Sequence, residues 1–169
     1  VPVFGDLVDE GFDTFFVNLS SPTNGVIVVA QARCRITDDD PTPSLSLSDV
    51  TLVEGPPGAT NLAVFHVRLS APSGITAGIG FATADRTATA PSDYLTSFGT
   101  LTFPPGVTNQ MVTVSVRGDN RFEQTETFVV VLANPFGASL SRSVGTANIT
   151  DDDDGELDHI VWSNIPSPQ

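Results

Sequence analysis

The sequence contains no lysine, and its seven basic residues are all arginines. They face 20 acidic residues, which gives a net charge of −13 over 169 residues. A surface that binds nucleic acid needs clustered lysine and arginine, so this shortage argues against a nucleic-acid partner. It argues equally against electrostatic docking to an anionic membrane surface. The composition therefore favours cations as partners.

Long apolar runs are also missing, since none approaches the ~20 residues of a membrane-spanning helix. Apolar residues nevertheless make up 40% of the chain and include 11 phenylalanines, which is enough to build a core. The single cysteine, Cys34, cannot form an internal disulfide. We expect it to be a small, buried strand residue.

An internal repeat organises the chain. Residues 3–40 align without a gap with residues 116–153, and both copies finish in "IT" followed by three aspartates. Such a match predicts a module of about 113 residues in tandem. The identical pairs include Val3/Val116, Gly5/Gly118, Asp6/Asp119, Glu10/Glu123, Phe15/Phe128, Leu19/Leu132 and Pro22/Pro135.

The register of the repeat predicts three segments. Residues 1–43 are expected to be the C-terminal half of a module plus a linker, with the front of that module cut away. Residues 44–153 would form one complete module. Residues 154–169 would be a linker or the start of a following β-module.

The periodicity within the complete module is that of β-strands. Apolar and polar residues alternate, and proline- and glycine-rich turns separate the runs. No stretch shows sustained helical spacing. The pattern predicts an all-β fold, an antiparallel immunoglobulin-like β-sandwich of about seven strands. The predicted inward-facing residues are Phe65, Val67, Leu69, Val112, Val114, Val116, Phe128, Val130 and Leu132.

Acidic residues follow the predicted strands, most densely in "ITDDDD" (149–154) and "ITDDDP" (36–41). The loop 118–126 and the run 151–153 flank an antiparallel strand pair, so they should meet at one pole of the sandwich. Carboxylates that lie close together repel unless they are protonated or bridged by a cation. Calcium suits such a site, because it takes six to eight oxygen ligands in flexible geometry. Magnesium demands stricter order, and zinc prefers His or Cys.

The complete module resembles a Calx-β domain. The matching stretches run in family order: "VEG" (53–55), "FATADRTATAPSDY" (81–94), "GTLTFPPG" (99–106), "GDNRFEQTETFVVVLANP" (118–135) and "GTANITDDD" (145–153). The resemblance covers 44–153 fully and 1–40 as a half-module.

The resemblance implies a calcium site. The candidate ligands that it implies are Glu54, Asp85, Asp119, Glu123, Glu126, Asp151, Asp152 and Asp153. Calcium-binding members usually have a further aspartate where this chain has Gly118, which suggests fewer or looser ions. The matching positions of the half-module are Asp6, Glu10, Asp13, Asp38, Asp39 and Asp40, where the partners of Glu54 and Asp85 are missing.

We therefore expect a calcium-binding structural or adhesion repeat of a larger extracellular or cell-surface protein. Its expected partners are calcium ions, neighbouring β-modules of the same chain, and a protein or glycan adhesion ligand. The alternative is a metal-free sandwich that acts as a spacer. No enzyme is expected, because the sequence has no nucleophile elbow, catalytic histidine constellation or phosphate-binding loop.

Overall fold

The computed structural model describes residues 1–153, which form eleven β-strands and no helix. The predicted linker or following module at 154–169 lies outside the described residues. The strands are β1 (Asp13–Asn18), β2 (Gln31–Ile36), β3 (Ser44–Leu47), β4 (Val50–Val53), β5 (Thr60–Leu69), β6 (Ala77–Asp85), β7 (Phe98–Phe103), β8 (Asn109–Arg117), β9 (Glu126–Phe136), β10 (Ser139–Arg142) and β11 (Val144–Thr150).

The complete module is a β-sandwich, as the sequence predicts. One sheet has the order β10-β3-β5-β8 and the other β4-β11-β9-β6-β7. The count is nine strands rather than about seven, because the chain changes sheets between β3 and β4 and again between β10 and β11. Both short strands pair in parallel, β3 with β10 and β4 with β11. The sandwich is therefore mainly, but not wholly, antiparallel.

The core lies between the two sheets and contains the residues that alternation predicts. Phe65, Val114, Phe128 and Val130 are among the fully buried side chains. Tyr94 enters the same core from the loop between β6 and β7, and its ring stacks on Phe128 with centroids 4.2 Å apart. Burial of side chains of this size supplies the main stabilisation of the module.

The directions of the strands bring several strand ends to one pole of the complete module. Because β4 and β11 run parallel, Glu54 and the run 151–153 emerge at the same end. The antiparallel partner β9 begins there, with Glu126 opposite Ile149. Strand β6 also ends at this pole, because Asp85 pairs with Phe128 near the start of β9.

The half-module forms the hairpin β1–β2, and its register repeats that of β9–β11. Asp13 pairs with Ile36, just as Glu126 pairs with Ile149 at the matching positions. The complete module does not cover the hairpin, since Phe16 remains 52% exposed. The prediction that Cys34 is buried is wrong. It is exposed because both faces of the two-stranded sheet lack a covering layer.

The described residues contain no helix that is long and apolar enough to cross a membrane.

Candidate metal centre

Glu54 is the most deeply placed acid of the pole. It follows β4 directly and is only 7% exposed. Its backbone amide donates to the Thr150 carbonyl at 2.9 Å, which ties it to the end of β11. Its Oε1 accepts a hydrogen bond from the Asp119 amide at 2.8 Å. The side chain therefore links the ends of two strands to the loop that follows β8.

Glu54, Asp119 and Asp153 form one group of carboxylates. Each offers an oxygen, and these oxygens lie within 4.8 Å of one another. Two ligands of one calcium ion, each at about 2.3–2.6 Å, can be at most about 5 Å apart. The spacing of this group therefore fits a shared calcium ion, and the all-oxygen donor set suits calcium rather than zinc.

Glu123 and Glu126 form a second group together with Asp93, again with oxygens within 4.8 Å. Asp93 is not among the ligands predicted from the sequence. Its position follows from an isolated bridge between Tyr94 and Val116, beside which the Arg117 amide donates to the Asp93 carbonyl at 2.8 Å. The only signal in the sequence was the "SDY" at the end of one matching stretch, where Asp93 precedes the core residue Tyr94.

Asp151 and Asp152 hold the backbone of the pole in place. Asp151 Oδ2 accepts from the Glu123 amide at 3.1 Å. Asp152 Oδ1 accepts from the Gly55 amide at 2.9 Å. The triple aspartate thus folds back onto the pole, and each of these two side chains keeps lone pairs that hydrogen bonds do not use.

Asp85 belongs to neither of these two groups of close carboxylates. Its carboxylate accepts hydrogen bonds from the Tyr94 hydroxyl and, at 3.1 Å, from the Ala90 amide. These bonds anchor the loop between β6 and β7 to the core. Asp85 therefore supports the position of the neighbouring Asp93.

The pole concentrates negative charge. Burial raises the pKa of Glu54, and the nearby Asp119, Asp151 and Glu123 raise it further against the bond from the Asp119 amide. Burial, followed by the charges of Asp93 and Glu123, raises the pKa of Glu126 to about 7. Since Glu54 also contributes to that shift, the two groups of acids lie within electrostatic reach of each other. A divalent cation would relieve this repulsion.

Arginines do little to neutralise the pole. Arg121 lies on the same loop, but its guanidinium approaches Glu123 only to 3.9 Å and is largely exposed. Such a surface contact contributes little stability.

Among the described glycines, Gly118 leaves the least room for a side chain. A Cβ at this position would lie 1.9 Å from the Gly55 carbonyl oxygen and 2.6 Å from that of Pro56. The Gly118 carbonyl accepts from the Gly58 amide at 3.1 Å. At the position where the resemblance implies an aspartate, the backbone at Gly118 is therefore in close contact with the backbone of residues 55–58.

We expect Gly118→Asp to destabilise the module rather than to add a ligand. The new side chain must displace the 55–56 backbone, and overpacking of this kind costs about 1–3 kcal/mol or more. A thermal melt without calcium should show a melting temperature several degrees lower than that of the unchanged chain. Gly58→Asp, where a Cβ meets no atom within 4 Å, tests the same charge without the clash, although its positive φ adds a modest strain. A Gly118→Asp variant as stable as the parent would contradict the close packing.

The acids of the half-module also face one another. Asp6, Glu10, Asp13 and 38–40 line one concave surface at the end of the hairpin. The charge of Asp6, with smaller effects from burial and other acids, raises the pKa of Glu10. Burial and the neighbouring Asp38 and Asp39 raise that of Asp40. Both close three-acid groups found in the described residues nevertheless lie in the complete module.

The fold and this pole together define a β-sandwich domain with a carboxylate-lined end. A family model described as the Calx-beta domain matches residues 1–40 and 46–153. The chain therefore belongs to the Calx-beta domain family.

Comparison with known proteins gives relatives of the same kind. The chain is 37% identical over 97 residues to the sodium/calcium exchanger Calx of Drosophila melanogaster, which covers 55% of this chain and 10% of that protein. It is 43% identical over 56 residues to sodium/calcium exchanger 1 of Canis lupus familiaris, covering 33% of this chain and 6% of the exchanger. The chain thus corresponds to a small part of these relatives.

Solved structures of Calx domains have a similar fold. The apo form of the Calx CBD1 domain superimposes with a TM-score of 0.58 at 29% identity, over 67% of this chain and 100% of that domain. The calcium binding domain CBD12 of CALX1.1 gives a TM-score of 0.60 at 30% identity, over 66% of this chain and 47% of that one.

Proposed function

We propose that the complete module binds calcium at its acidic pole, and that binding stiffens the pole and the exit toward the following residues. The observation that carries the proposal is the convergence of Glu54, Asp119 and Asp153 from three separate segments, with oxygens within 4.8 Å. Loops without a ligand have little reason to bring like charges together while one of them is buried.

The acids of the pole would have two roles, binding the ions and ordering the loops. Glu54, Asp119 and Asp153 would hold one ion, and Asp93, Glu123 and Glu126 could hold a second. Asp151 and Asp152 order the two loops by accepting backbone hydrogen bonds, and their remaining lone pairs are available to the same ions. Bound calcium would supply positive charge that bridges the ends of β4 and β11 and the loop after β8. The similar CBD12 of CALX1.1 is a calcium binding domain, which supports this ion.

A metal-free spacer is the second candidate, and the close packing at Gly118 favours it. Calcium-binding family members usually have an aspartate at this position, so the pole of this chain has fewer carboxylate ligands than theirs. The two candidates differ in one property: a spacer gains stability when the acids are neutralised, whereas a calcium module loses its response to the ion.

Isothermal titration with calcium, against magnesium under the same conditions, tests the proposal. We expect calcium binding with a dissociation constant of about 10⁻⁴–10⁻³ M, a range common for extracellular modules, and much weaker binding of magnesium. No heat of binding at millimolar calcium would overturn it and leave the spacer.

The adhesion role, the extracellular or cell-surface location, the three-segment domain division and the absence of catalysis remain predictions from the sequence. The Drosophila melanogaster and Canis lupus familiaris relatives are sodium/calcium exchangers rather than adhesion proteins. Partners among neighbouring β-modules are supported more directly, because the family model matches two segments of this chain.

The raised pKa of Glu126, about 7, predicts an unusual pH dependence. Because the folded protein holds this proton more tightly than the unfolded chain, the calcium-free module should become more stable as pH falls from about 8 to about 5. Calcium should reverse the trend, since it binds the ionised form. Thermal melts at pH 8, 7, 6 and 5, with and without calcium, measure both. A calcium-free melting temperature that falls steadily over this range would contradict the charge balance described for the pole.

A further inference from the structure

Asp9 is the one buried residue between positions 1 and 42, at 7% exposure. It belongs to the loop of the half-module that corresponds to the loop after β8. The neighbouring Leu7 and Phe12 are exposed. Its burial comes from the complete module, where Ser73 forms an isolated parallel bridge with it.

The contact uses both the backbone and the side chain of Asp9. The Gly74 amide donates to the Asp9 carbonyl at 2.9 Å. The Ser73 hydroxyl lies 3.1 Å from that carbonyl and 3.3 Å from Asp9 Oδ2, and so donates to the pair. Thr42, in the linker, donates its hydroxyl to Asp9 Oδ1 at 3.3 Å. Both carboxylate oxygens therefore have hydroxyl donors, as a buried carboxylate requires.

The receiving loop is held in place from its own side. Ser73 is 3% exposed, its carbonyl accepts from the Gly106 amide at 2.9 Å, and its hydroxyl accepts from the Ile75 amide at 3.1 Å. Gly74 leaves room for the incoming chain, because a Cβ there would lie 2.8 Å from Glu10 Cγ. Ser73 and Gly74 thus form a fixed pair of hydrogen-bond donors for Asp9.

We propose that the Ser73–Gly74 loop is a docking site for the acidic loop of a preceding module, and that it selects a loop with a carboxylate at the position of Asp9. The matching position in the complete module is Phe122, which is 64% exposed. A phenylalanine cannot accept the hydroxyl hydrogen bonds of Ser73 and Thr42. The loop 118–126 is therefore the wrong partner for this site, and the order of the two modules is encoded in the contact.

The docking contact gives the half-module a second attachment. The first is the linker Pro41-Thr42-Pro43, in which two prolines restrict the backbone. A short linker alone leaves rotation about its bonds, whereas a linker plus a buried contact fixes the orientation of the hairpin. The docking contact needs no metal ion, so it is independent of the proposed calcium site.

The test is amide hydrogen exchange on the full chain in buffer that contains a calcium chelator. In the unchanged chain the Gly74 amide should be protected, and Asp9→Phe should accelerate its exchange by about tenfold or more. Ser73→Ala, on the receiving side, should act in the same direction. Amides of β5 and β8 report whether the complete module stays folded, and their exchange should not change.

A second measurement reports the orientation of the hairpin relative to the complete module. Cys34 is the only cysteine and is exposed, so a nitroxide label can be attached there without mutation. In the unchanged chain it should broaden a defined set of amides in the complete module, and Asp9→Phe should weaken and spread that effect. Thr42→Val should give a partial loss, whereas Thr14→Val, on exposed β1, is the matched control and should give none. Identical exchange at Gly74 and identical broadening in the Asp9→Phe and unchanged chains would overturn the proposal.

Discussion

Adding 10 mM calcium should raise the melting temperature of the chain by about 4–10 °C. A ligand that binds only the folded state stabilises it by about 1.4–2.7 kcal/mol when present at ten to a hundred times its dissociation constant, here taken as about 10⁻³–10⁻⁴ M. A module of this size shifts by roughly 3–4 °C per kcal/mol. The proposed site needs acids from separate segments that only the fold brings together, so the unfolded chain should contribute little competition.

Magnesium at the same concentration is the control for ionic strength and general screening. It should shift the melting temperature by no more than about 2 °C, because it parts reluctantly with its water shell and requires octahedral order. Equal shifts with both ions would show that the charge of the pole is only screened, and would favour the spacer.

Replacing one buried acid should remove most of the calcium response. Glu54→Gln keeps the shape of the side chain and an oxygen that can accept from the Asp119 amide, but removes the charge. Burial and neighbouring acids raise the pKa of Glu54, so its ionised form is less favourable in the folded protein than in the unfolded chain. We expect the calcium-free variant to be as stable as the parent or more so, and its calcium-induced shift to fall below about 2 °C in thermal melts.

Asp49→Asn is the matched control, because it removes a negative charge far from the pole. Asp49 Oδ1 lies 2.6 Å from the Arg142 guanidinium and accepts from the Thr146 amide at 2.8 Å. The hydrogen bond from Arg142, helped by that amide, lowers the pKa of Asp49. This variant should lose roughly 0.5–1 kcal/mol, as exposed ion pairs do, yet keep the full calcium response. A Glu54→Gln variant that keeps the response would remove Glu54 from the site.

Alternation along the strands was enough to predict the sandwich and its core. Phe65 and Val114 face inward because period-two patterning matches the pleat of a half-buried strand. The parallel pairs of β3 and β4 were not predictable, since no local pattern marks a strand that changes sheets. Cys34 was wrongly predicted to be buried, because local pattern does not show whether a second sheet covers a hairpin.

Part of the candidate site is likewise predictable from the sequence, and part is not. The antiparallel strand pair predicts that the loop 118–126 and the run 151–153 meet, and in the structure the Glu123 amide donates to Asp151. Asp93 could not be predicted from the sequence, because its position depends on a bridge between Tyr94 and Val116, which no spacing predicts. The role of Gly118 also required coordinates, since only the approach of the Gly55 carbonyl shows why a side chain is excluded.

A crystal structure of the chain grown in saturating calcium tests the central claim most directly. We predict an ion at about 2.3–2.6 Å from carboxylate oxygens of Glu54, Asp119 and Asp153, a distance range typical of calcium and longer than that of magnesium. Well-ordered density in which these three side chains contact only water and protein would contradict the account and leave the sandwich as a spacer.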